Sequence, residues 1–88
     1  MIRKRVVVSG RVQDVFFRDS ARREADSAGV AGWVRNLSDG RVEAVFEGSA
    51  ADVDRLVRWC RSGPDAAEVS HLQAYDEAPE GLSGFSVR

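Results

Sequence analysis

Residues 30–48 read VAGWVRNLSDGRVEAVFEG, and the way this stretch folds decides the rest. Asp39-Gly40 is a strong short-range hairpin signal, and LSDG separates two β-forming runs. The first run spans 30–36. The second, 41–47, alternates cleanly, so that Val42, Ala44 and Phe46 point inward while Arg41, Glu43 and Glu47 point out. Gly48 closes it.

On both sides of this hairpin the apolar period changes from two to 3.6. Upstream, Arg18 to Ala28 contains no Gly or Pro, and Phe17, Ala21, Ala25 and Ala28 form one helical stripe. A stripe made mostly of alanine lets a helix lie close to its support, and Gly29 suits the C-terminal cap. Downstream, Ser49 suits an N-cap with Asp52 three residues on, and Val53, Leu56, Val57 and Cys60 form an apolar face. Ser62-Gly63-Pro64 stops that helix.

At the ends, 2–8 (IRKRVVV) read as a strand with Val6 and Val8 inward, ended by Ser9-Gly10. Residues 66–76 read as a less regular strand, PEGLSG as a loop and GFSVR as a short final strand. The order is β-α-β-β-α-β plus a short C-terminal strand. This implies an α+β, ferredoxin-like split βαβ sandwich, an antiparallel sheet with two helices on one face, in a single domain over 1–88. Such a fold hosts enzymes, RNA readers and metabolite sensors alike, so function must be argued from a site.

Composition narrows the classes. The chain is 43% hydrophobic and 31% charged, as soluble globular proteins are. A formal net charge of −1 gives no global attraction for nucleic acid or an anionic membrane. An anion would have to be held by a local arrangement. The lone Cys60 cannot form an internal disulfide. The three valines of MIRKRVVVSG fall far short of a signal-peptide core. No apolar run approaches the ~20 residues that span a bilayer. The expectation is a cytoplasmic monomer with neither nucleic-acid nor membrane partners.

The stretch that carries chemistry is Gly10 to Arg18, where a strand gives way to a helix. Amides at a helix start lack intrahelical partners and sit at the positive end of the dipole. A compact loop there can aim several of them at one anion, and Arg18 adds a cationic fork suited to a tetrahedral oxyanion. Val15 and Phe17 would pack inward and hold the loop shape. Taken alone, Arg18 reads equally well as a solvated helix residue, and Asn36 reads better as a turn residue before the hairpin.

Two motifs change that balance. Gly10-Arg11-Val12-Gln13-Asp14-Val15-Phe16-Phe17-Arg18 closely resembles the acylphosphatase signature G-x-V-Q-G-V-x-F-R. The second signature of that family is matched by Gly32-Trp33-Val34-Arg35-Asn36, Gly40-Arg41-Val42 and Gly48. Length, element order and the closing GFSVR agree, so the resemblance covers essentially the whole chain. It implies metal-independent hydrolysis of the carboxyl–phosphate bond of acyl phosphates, with no cofactor. Gly10, Arg11, Val12, Gln13, Asp14, Val15, Phe16 and Phe17 would form the phosphate-binding loop, with Arg18 gripping the phosphoryl group and Asn36 positioning the attacking water. The leaving acyl group would project into solvent.

The chain departs from the signature at Asp14, where the family has glycine. If that position needs positive φ, aspartate strains the loop by on the order of 1 kcal/mol. A solvent-facing carboxylate is the expectation, with residual activity and a raised KM. The alternative is a phosphate- or acyl-phosphate-binding module in which Asp14 has weakened turnover. An RNA-binding domain is the other rival, and RVEAVFE argues against it by setting Glu43 and Glu47 on the outer face without an aromatic. His71 and Cys60 read as structural, Trp33 and Trp59 as packing residues, and Arg22-Arg23 as a solvated face.

Overall fold

A computed structural model describes all residues from Met1 to Arg88. The elements are β1 (Ile2–Arg11), α1 (Phe17–Ala28), β2 (Ala31–Asn36), β3 (Val42–Gly48), α2 (Ala50–Cys60), β4 (Glu68–Glu77) and β5 (Phe85–Val87). The strands form one sheet in the order β4-β1-β3-β2-β5. β1, β2, β3 and β4 pair antiparallel, and β5 joins β2 in parallel, which makes the sheet mixed at one edge.

Alternation builds the core. Val6 pairs with Ala44 and Val8 with Val42, while Val34 meets Ala44 from the other side. These residues are fully buried beneath Phe17, Ala21 and Ala25 of α1 and Val53, Leu56, Val57 and Cys60 of α2. The small side chains of α1 let it lie against β2 and β5, and the Phe17 and Trp59 rings meet at 5.3 Å between the helices. Gly29 ends α1 in the left-handed region, and the Ser49 hydroxyl accepts from the Asp52 amide to start α2. Gly32 opens β2 at φ 144, and a Cβ there would lie 1.8 Å from the Val45 carbonyl oxygen, so only glycine lets the strands approach.

Two sequence expectations change. β1 does not end at Ser9-Gly10 but continues to Arg11 across a bulge. Ser9 pairs with His71 and Gly10 with Val69, so β4 carries the extra residue, Ser70. The bulge flips the alternation of β4, which is the irregularity that its sequence shows.

Glu43 and Glu47 do lie on the face opposite the helices, but they are buried. Arg3 donates to Glu47 at 2.7 Å and to Glu77 at 2.9 Å, and Arg5 donates to Glu77 at 2.9 Å. Arg35 donates to Glu43 at 2.7 Å. The Glu47 carboxylate also accepts from the amides of Glu80, Gly81 and Leu82, which lays the β4–β5 connection across it. Burial alone would raise the Glu47 carboxyl; the Glu80 amide, the Arg3 guanidinium and the Leu82 and Gly81 amides outweigh it, so it titrates below the ordinary range. Glu77 is lowered by its hydrogen bonds from Arg3 and Arg5. The aromatic residues on this face are covered by the chain's own cations, with Arg5 4.5 Å from the Tyr75 ring and Arg88 4.5 Å from the Trp33 ring.

Candidate active site

The loop from Val12 to Phe16 alternates between anchoring and exposure. Val12 is 1% exposed and Val15 4%, whereas Asp14 and Phe16 are open to solvent. Asp14 at φ 61 and Phe16 at φ 62 are the two non-glycine residues with left-handed backbone. Position 14 therefore needs the conformation that a signature glycine supplies freely. The amides of Val12 to Phe16 donate to no acceptor within the protein. With the first-turn amides of α1 beside them, they make a run of unpartnered donors at the positive end of a helix.

Gln13 fixes where this loop sits. Its side-chain amide donates to the Leu37 carbonyl at 2.8 Å and to the Arg41 carbonyl at 3.0 Å. It thereby clasps both sides of the turn that follows Asn36. The end of β2 approaches the loop, as the topology leads one to expect, and Arg18 and Asn36 line one cavity of about 540 Å³. Val12, Asp14, Phe16 and Phe17 share its wall. Arg18 spends one donor on the Arg88 backbone oxygen at 3.1 Å. The Asn36 side chain lines the cavity without a hydrogen-bond partner inside the protein.

Other loop positions do different work. Gly10 and Arg11 belong to β1 and do not line the cavity; a Cβ at Gly10 would lie 2.3 Å from the Glu68 carbonyl oxygen. Gln13 and Val15 support the loop from behind. Arg22, expected on a solvated face, lines the cavity together with Asp19, to which it donates at 3.1 Å, and Val87 joins them from β5. The signal for Arg22 was its spacing of four from Arg18, which stacks the two on one helix face. Val87 had none, because it arrives through the parallel β2–β5 pairing. His71 is exposed on β4, away from the cavity, and burial raises the Cys60 thiol well above its ordinary value. No group of three or more His, Cys, Asp or Glu side chains is placed to hold a metal ion.

The chain resembles known proteins along nearly its whole length. The Acylphosphatase family model matches residues 4–87. An acylphosphatase of Rubrobacter xylanophilus is 62% identical over 87 residues, covering 98% of this chain and 79% of that protein. The crystal structure of acylphosphatase from Bacillus subtilis superposes with a TM-score of 0.96 at 36% identity, covering 100% of this chain and 99% of that one. An acylphosphatase structure from Coxiella burnetii gives a TM-score of 0.95 at 41% identity, covering 99% and 92%.

Proposed function

The chain belongs to the acylphosphatase family and hydrolyses the carboxyl–phosphate bond of acyl phosphates; from that premise we propose how its own residues carry the reaction. Arg18 and the unpartnered amides of Val12 to Phe16 bind the phosphoryl oxygens. The amides supply directed dipoles and the guanidinium a planar pair of donors. Asn36 holds the attacking water, since a neutral carboxamide both accepts from and donates to it without a shifted pKa. The water oxygen bonds to phosphorus as the bond from phosphorus to the acyl oxygen breaks. The carboxylate leaves with the electron pair, and the water's proton passes to a phosphoryl oxygen.

No protein base is needed on this route, because a carboxylate is a good leaving group and positioning with charge stabilisation does most of the work. The route is equally free of metal and cofactor. We read the chain as acting as a cytoplasmic monomer. The observation that carries the reading is that Arg18 and Asn36 line one cavity with Val12, Asp14, Phe16 and Phe17 of the loop, whereas Arg3, Arg5 and Arg35 on the outer face are already paired with carboxylates. Hydrolysis of acetyl phosphate by the wild type, Arg18→Ala and Asn36→Ala tests it. Turnover by the wild type and its collapse in both variants, with folding intact by circular dichroism, is the expected result.

A further inference from the structure

The phosphoryl reading leaves one side of the cavity unexplained. Phe16 is 77% exposed, more than any other large apolar side chain except Met1, yet it lines the cavity. Its backbone is also held at φ 62, a region that bulky L residues seldom adopt. An exposed ring kept in a disfavoured conformation beside a site is the kind of strain that function retains. Val87, 40% exposed, adds apolar surface to the same cavity. Space points the same way. At about 30 Å³ per heavy atom, the share of a water molecule in the liquid, a phosphoryl group with its bridging oxygen takes about 150 Å³. That is well under half of the roughly 540 Å³ present.

We propose that Phe16, with Val87, forms an acyl-binding wall, so that the enzyme favours acyl phosphates with aromatic or extended apolar acyl groups. The inference rests on Arg18 and the loop holding the phosphoryl end. Once that end is fixed, a short acyl group reaches little beyond it, whereas an aromatic one lies against Phe16. The Phe16 side chain is then a specificity residue, distinct from the contribution of its backbone amide.

The test is the ratio of kcat/KM for benzoyl phosphate to that for acetyl phosphate in the wild type, Phe16→Gly, Phe16→Asn and Val87→Ser. Glycine and asparagine both accept a left-handed backbone, so these variants remove the ring without adding strain. The ratio cancels the intrinsic reactivity of each substrate and any common damage to the phosphoryl site. A fall of about 3- to 10-fold is expected in both Phe16 variants, the size of an aromatic contact, with a smaller fall in Val87→Ser. Ratios within twofold of wild type in both Phe16→Gly and Phe16→Asn overturn the acyl wall. A wild type that cleaves neither substrate overturns the phosphoryl reading beneath it, a different and separately visible result.

Discussion

Arg3 and Arg18 show two opposite uses of one side chain. Arg3 is 7% exposed and divides its fork among Glu47, Glu77 and Glu80. Arg18 gives a single hydrogen bond to a backbone oxygen and turns the rest of its surroundings into a cavity wall. Around Arg3 every buried side-chain polar atom has a partner, and three backbone amides close the remaining side of Glu47. Around Arg18 the loop amides are unpaired and two residues sit in left-handed backbone. Saturated charge holds a structure together and has nothing left for a ligand. Donors left open at a helix start cost stability, and that unspent capacity is what an anion can use.

The sharpest way to break this contrast is to remove each arginine's function in turn. Arg18→Ala should lower kcat/KM for an acyl phosphate by about 10³-fold or more, the order that a phosphoryl-contacting arginine supplies. Its thermal midpoint should stay within a few degrees of wild type. Asn36→Ala should lose about 10²-fold, as expected for a mispositioned nucleophile. Activity within tenfold of wild type in Arg18→Ala would remove it from the site.

The outer face should respond the other way. Glu47→Ala leaves Arg3 buried without its nearest carboxylate and strands three amides, so unfolding free energy should fall by about 3–5 kcal/mol. Urea titration measures this directly. A loss below about 1 kcal/mol would mean the network only decorates the sheet.

Acid should attack the same network. Glu47 and Glu77 both titrate below the ordinary 4.5 in the folded protein, so the unfolded chain binds more protons in that range. Their contribution is complete above about pH 4.5 and is lost as pH falls through the folded-state values. The urea midpoint should therefore be flat from pH 7 to 5 and drop below 4.5. Glu47→Gln should shrink that drop, and an unaltered acid profile in this variant would contradict the assignment.

The smallest effect is expected at Asp14. Asp14→Gly places the freest residue at φ 61 and takes a carboxylate from the cavity wall. KM should fall a few-fold, with stability changed by no more than about 1 kcal/mol, since relief of backbone strain and the greater freedom of the unfolded glycine oppose each other. Unchanged KM and kcat would show that the carboxylate never faces the phosphate.

Much of the architecture was readable because the side chains on its inner face repeat with the period of the element that carries them. Val42, Ala44 and Phe46, or Phe17, Ala21 and Ala25, announce strand and helix without help from distant residues. What escaped reading depends on contacts far apart in the chain. Glu43 and Glu47 look solvent-facing until Arg3, Arg5, Arg35 and the 80–82 amides close over them. Ser9-Gly10 looks like a strand end until Ser70 supplies the opposing bulge. In the cavity, the loop and Arg18 were marked by local sequence and Arg22 by its spacing from Arg18, and the Gln13 clasp and Val87 emerged only when the sheet brought them together.

The Glu47 carboxylate has a further consequence through the segment it holds. Its three amide partners belong to the connection that delivers β5, a strand of only three residues, and the chain then reaches the Arg88 oxygen that receives Arg18. β5 pairs only with β2, at the sheet edge, which makes it a natural first unit to open in native-state fluctuations. Amide hydrogen exchange should then show two layers, a slow centre of β1 and β3 and a fast-exchanging β5. Each opening of that edge would release Arg18 from its anchor while the rest of the sheet stays folded. With Arg18 in the role proposed above, activity should fade under mild denaturant before the protein as a whole unfolds.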